Sequence, residues 1–153
     1  MGGTRAEAEL MAKKLELVKD IMTSSVTTVD HEARLLDAAL LMRSSGFRHV
    51  PVVDNGRLVG IISDRDVKGA SPSLFAEISQ EEYNRIFETT PVAKVMTKDP
   101  QTVTPDATLK DVVAMMQENK FGAVPIVEGD NKLVGIVTSN DMLVLLRTLL
   151  EQS

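Results

Sequence analysis

"GIISDRD" (residues 60–66) and "GIVTSND" (residues 135–141) decide how this chain is read. In each, an apolar run containing Gly gives way to a hydroxyl residue, and an Asp follows three positions later. Such a Ser/Thr-x-x-Asp step starts a helix, because the hydroxyl caps a first-turn amide and the carboxylate favours the positive end of the helix dipole. One occurrence says little; two prompt a search for a repeat.

Residues 18–54 laid over 92–128 pair Val18, Met22, Thr23, Val29, Leu35, Met42, Val50 and Pro51, among others, with identical residues. Past the turn at Asn55 the offset grows by one, and Leu58, Val59, Gly60, Ile61 and Asp66 meet Leu133, Val134, Gly135, Ile136 and Asp141. The order and spacing define two copies of one supersecondary unit. Each copy parses as a short extended lead, a helix, two strands and a second helix. The apolar spacing of Leu35, Ala38, Ala39 and Met42, and of Leu109, Val112, Val113 and Met116, sets the first helix of each. Asp30 and Asp106 are the expected N-caps of these helices, and Gly46 the expected stop of the first. Asn55-Gly56 predicts a tight hairpin, with the extra residue of the second copy in its turn. New helices are expected from Asp64 and Ser139.

The expected organisation is a helical lead over 1–17, the first repeat over 18–68, a helical connector over 69–91, and the second repeat with a C-terminal helix over 92–153. The fold class is α+β, with the repeats packed about a pseudo-twofold axis because a half this small buries too little alone. The lead helix is placed around Leu10–Val18. In the connector, Ser79 and Glu82 form a capping box, with Tyr83, Ile86 and Phe87 facing the body.

Composition narrows the function classes. A formal charge of -5 gives no footprint for a nucleic-acid backbone, so an anionic ligand must be held by local groups. There is no Cys, which removes disulfides, thiolate metal sites and thiol nucleophiles; the 2 His lack metal-ligand spacing, so no metal site is expected. Neither a Gly-x-Ser-x-Gly elbow nor a Walker loop occurs, so the chain is not expected to be an enzyme or to hold a catalytic cofactor. The N-terminus lacks an apolar signal core, and "MLVLLRTLLEQS" is too short to span a bilayer. A cytoplasmic protein with no membrane partner is expected, its apolar C-terminal helix covered by a second copy of the chain in a homodimer.

The motif has a second reading besides capping. A strand entering a helix start presents backbone N–H groups where phosphate binds, and an Asp one turn in can accept both hydroxyls of a vicinal diol such as ribose. Both readings stand on the same residues. Arg48, His49 and Arg65 occur beside the first copy only, and cationic side chains pair with phosphate oxygens. Lys120 is a further cation in the second copy.

The doubled pattern of Met-Thr, Thr-Val, amphipathic helix, Val-Pro-Val-Val and Leu-Val-Gly-Ile-Ile-Ser-x-x-Asp resembles the cystathionine-β-synthase (CBS) domain pair, or Bateman module, over 18–68 and 92–145. With its connector the chain is most similar to stand-alone bacterial CBS-pair proteins of the acetoin-utilisation AcuB type, and to those without the additional ACT domain that many carry. The resemblance implies a regulatory sensor binding AMP, ADP, ATP, S-adenosylmethionine or NAD-type molecules in clefts between paired repeats, acting on a regulated protein. It implies that Asp66 and Asp141 hold ribose, and that Ser63 and Thr138 face phosphate with Arg48, His49 and Arg65. The adenine is expected near Thr28, Val29, Val50 and Pro51 in one copy and Thr102, Val103, Val124 and Pro125 in the other. The alternative is a ligand-free assembly module whose motifs only cap helices.

Overall fold

The computed structural model describes residues 16–71 and 77–152, so most of the expected lead helix and residues 72–76 of the connector lie outside the described residues. The described chain forms five α-helices and six strands, an α+β protein. It divides into two compact units, Thr27–Pro100 and the residues up to Val26 together with those from Gln101 onward.

In the first unit the chain runs β1 (Val29–Asp30), α1 (Leu35–Ser45), β2 (His49–Asp54), β3 (Arg57–Ser63), α2 (Asp64–Ala70), α3 (Gln80–Thr89), a 3-10 turn at Val92–Lys94, and β4 (Thr97–Lys98). β1 lies parallel to β2, while β2 with β3 and β3 with β4 are antiparallel. Asn55 and Gly56 both take positive φ, 51° and 81°, which matches the twist of a two-residue hairpin. Leu35, Ala38 and Met42 on α1 bury against Val50, Val52 and Ile62, forming the aliphatic core. The amphipathic α3 joins it through Phe87, whose ring centroid is 5.2 Å from that of Tyr83.

The second unit repeats this plan with α4 (Leu109–Asn119), β5 (Ala123–Glu128), β6 (Lys132–Thr138) and α5 (Ser139–Gln152). The β5–β6 hairpin takes its extra residue in the loop, with φ 58° at Gly129 and 60° at Asn131. Its core gathers Leu109, Val112, Met116, Val124, Ile126 and Val137. Pro125 sits in a paired strand because the lead bonds around it: Val103 N–H donates to Pro125 O at 3.2 Å, and Val103 O accepts from Val127 N–H at 2.9 Å. The N–H that proline lacks is not needed there.

The repeat and the compact units are offset by one segment. Val18, in the lead of the first copy, is fully buried in the second unit's core, and Val92 takes the matching place in the first. Thr23 and Ile136 exchange backbone hydrogen bonds of 2.9 and 3.0 Å, and the matching Thr97 pairs with Ile61. Glycine permits both approaches: a Cβ on Gly135 would stand 2.6 Å from Met22 Sδ, and one on Gly60 would stand 2.9 Å from Thr97 O. Self-comparison shows what a lead packs against but not whose, since both copies present the same Gly and Ile.

Two expected caps are corrected. α1 begins at Leu35 after Arg34, and α4 at Leu109 after Thr108, whose hydroxyl accepts from Asp111 N–H at 3.1 Å. Asp30 instead lies in β1 and caps a tight turn by accepting from Glu32 N–H at 2.9 Å, while Asp106 pairs with Lys19 at 3.4 Å. Both acids precede their helices by several residues, too far to reach the first-turn amides. At the other end, Gly46 closes α1 in the left-handed region at φ 78°, and Lys120 does the same for α4 at φ 57°. Ser79 caps α3 by accepting from Glu82 N–H at 3.1 Å. No described helix is long and apolar enough to cross a membrane.

Candidate functional site

The Ser/Thr-x-x-Asp motifs fall where β3 passes into α2 and β6 into α5. Their geometry is nearly the same. Ser63 N–H donates to Asp66 Oδ2 at 2.8 Å and Ser63 Oγ accepts from Asp66 N–H at 3.1 Å; Thr138 N–H donates to Asp141 Oδ2 at 2.8 Å and Thr138 Oγ1 accepts from Asp141 N–H at 3.3 Å. These are complete reciprocal caps, so the capping reading holds at both sites. Each Asp spends Oδ2 on its cap, which leaves Oδ1 outside these bonds, and both side chains are only partly buried. One free carboxylate oxygen on a fixed stem can still accept from a diol.

The backbone part of the sequence reading is corrected at α2. Asp64 N–H donates to Arg48 O at 2.9 Å, Arg65 N–H to Asp64 Oδ1 at 2.9 Å, and Asp66 N–H to Ser63 Oγ. The amides expected to await a phosphate are taken, because the carbonyl of Arg48, just before β2, and two side chains satisfy them. Side chains must therefore do the work of anion recognition there.

Those side chains are brought together. His49 sits opposite Ser63 in the β2–β3 ladder, and Arg48 precedes it. Burial lowers the His49 pKa from its ordinary value, the nearby Asp64 and Asp66 carboxylates push it back up, and Arg48 and Arg65 push it down. All five named groups thus act at the same end of the hairpin. Arg48 and Arg65 are exposed, and neither forms an ion pair among the described residues. The sequence reading passed over Asp64, whose carboxylate faces His49 and lies 3.9 Å from Lys68 Nζ. Its only signal was the second acid in "SDRD".

The adenine set divides. Val50, Pro51, Val124 and Pro125 are fully buried in the two units, and Val29 nearly so, so their side chains are core. Thr28, Thr102 and Val103 are half-buried beside them. Among the described residues, no group of three or more His, Asp or Glu side chains could hold a metal ion.

With this geometry in hand, the CBS domain family matches the chain twice, over residues 18–73 and 92–148, and the chain belongs to that family. Three solved structures share the fold. A protein described as the acetoin utilization protein AcuB of Vibrio cholerae is 40% identical, with a TM-score of 0.74 over 88% of this chain and 93% of its own. The CBS domain pair of protein MJ0100, solved with 5′-methylthioadenosine and S-adenosyl-L-methionine, is 29% identical, TM-score 0.69, covering 85% and 98%. CBSX2 of Arabidopsis thaliana, solved with AMP, is 26% identical, TM-score 0.73, covering 87% and 97%. The chain spans 94% of one curated relative, a CBS domain-containing protein of Dictyostelium discoideum 31% identical over 88% of this chain. It spans only 42%, 46% and 25% of three others.

Proposed function

We propose that the chain is a regulatory module that binds adenosyl ligands where each repeat passes from strand to helix. Asp66 and Asp141 accept the ribose hydroxyls on Oδ1, the oxygen their caps leave over. Ser63 and Thr138 stand beside the 5′ substituent, and Arg48, His49 and Arg65 meet phosphate. Adenine lies along Thr28 and Val29 in one repeat and Thr102 and Val103 in the other, with Val50, Pro51, Val124 and Pro125 as the rigid wall behind. The observation that carries this reading is the spare carboxylate oxygen, held by the same cap in both repeats. It is supported by two structural relatives solved with AMP and with S-adenosylmethionine.

The module acts by binding and not by catalysis, needs no metal, and passes its ligand state to a regulated protein. On this reading it works in the cytoplasm. A second copy of the chain covers α5, where Leu143, Val144 and Leu146 are 63%, 55% and 52% exposed. The second reading, an assembly module, is favoured by one fact: both motifs complete their caps with groups of the chain itself.

Thermal unfolding with AMP, ADP, ATP, S-adenosylmethionine and NAD separates the two, since a ligand that binds only the folded chain raises its stability by about 2.7 kcal/mol at a hundredfold excess over Kd. A rise with at least one compound is expected. No rise with any at millimolar concentration favours the assembly module.

A further inference from the structure

We propose that the two strand-to-helix sites select by charge: the Ser63–Asp66 site takes adenosyl compounds carrying a 5′ phosphate, and the Thr138–Asp141 site takes those uncharged at that position. The inference rests on the adenosyl reading above and deepens it.

The frames are equivalent. His49 faces Ser63 as Ala123 faces Thr138, and Asp64 N–H reaches Arg48 O as Ser139 N–H reaches Gly122 O, both at 2.9 Å. What hangs on the frames differs, apart from the shared Asp66 and Asp141. Arg48, His49, Asp64 and Arg65 of the first site are replaced by Gly122, Ala123, Ser139 and Asn140 in the second. The first thus sets two guanidinium groups and an imidazole around one end of a hairpin, and the second carries no cation at the four matching positions, its Lys120 lying two residues earlier at the end of α4. The hydroxyls differ too. Ser63 Oγ only accepts within its cap, so its proton remains for a phosphate oxygen, whereas Thr138 Oγ1 gives its proton to Asp141 Oδ2 at 3.1 Å.

These differences act in one direction. A phosphate brought to the second site loses hydration and meets Asp141 with no cation at the matching positions to offset it. At the first site the arginines replace the lost water with charge-assisted hydrogen bonds. An uncharged 5′ group reverses the balance, since it would dehydrate Arg48 and Arg65 without compensating them.

The test is titration of AMP and 5′-methylthioadenosine, which share adenine and ribose, into the full chain and into Asp66→Asn and Asp141→Asn. Asparagine keeps an acceptor for the cap, and circular dichroism checks each fold. Asp66→Asn should lose AMP affinity at least tenfold and keep 5′-methylthioadenosine; Asp141→Asn should do the opposite. In Arg48→Gly/Arg65→Asn, which copies the second site onto exposed positions, the ratio of AMP to 5′-methylthioadenosine affinity at the first site should fall on the order of tenfold per cation. Equal loss of both compounds in both variants, or AMP lost only with Asp141→Asn, overturns the charge selection while leaving the adenosyl reading intact. Failure of both compounds and of the whole adenine panel to bind the unaltered chain sinks the adenosyl reading and this inference with it.

Discussion

His49 is where the proposed chemistry is most exposed to pH. Burial lowers its pKa, with Arg48 and Arg65 adding to the shift and Asp64 and Asp66 opposing it, so the folded chain holds fewer protons there than the unfolded chain. Stability therefore rises with pH across that interval. The contribution of His49 is fully present above about 6.5, the unfolded value, and is lost as pH falls through the lower folded value. A phosphate bound beside His49, as proposed, would reverse the preference, because an anion favours imidazolium. Titration of AMP from pH 7.5 down to 5.5 should show affinity gained on acidification beyond that of His49→Gln, the variant correcting for protonation of AMP itself. Identical slopes for the two proteins would place His49 away from the phosphate. The second repeat carries Ala123 at this position, so its affinity for 5′-methylthioadenosine should stay flat over the same range.

Among the elements, the hairpins were the most legible in sequence. Asn55-Gly56 can supply two positive φ angles where few residue pairs can, and the single insertion had to fall in a turn. Helix starts were read less well. Asp30 and Asp106 are good cap residues by type, but Arg34 and Thr108 occupy the cap positions, and Arg34 does so with Asp37 bound across its guanidinium at 2.9 Å instead of with a capping oxygen. The amides at α2 are illegible in sequence for a related reason, since whether a first-turn N–H is spent depends on a carbonyl distant in sequence, here that of Arg48 just before β2. Least legible was the crossing of each lead to the other repeat's strands, because identical residues make either partner chemically acceptable. That crossing has a direct consequence. Gly135→Ala should destabilise the chain by roughly 1–3 kcal/mol through collision with Met22. Met22→Ala should relieve much of that penalty, and Met96→Ala should not. In chemical denaturation a strong coupling of Gly135 to Met22 alone is expected, whereas additive effects would argue that the lead lies elsewhere.

At the scale of the whole molecule, the doubled sequence yields two units of the same plan, and the family match covers both repeats. Duplication explains why the caps are alike while the charges are not: the frame is fixed by folding, and the side chains on it are free to differ. Two frames with separate selectivity would let one chain report on two metabolites at once. That account stands or falls on whether the spare oxygens of Asp66 and Asp141 hold an adenosyl ligand. Calorimetric titration of AMP and 5′-methylthioadenosine into the unaltered chain and into Asp66→Asn/Asp141→Asn measures this most directly. Saturable binding to the first and none to the second, with unchanged circular dichroism, is the predicted result. Binding of equal strength to both proteins, or to neither at millimolar ligand, would contradict it.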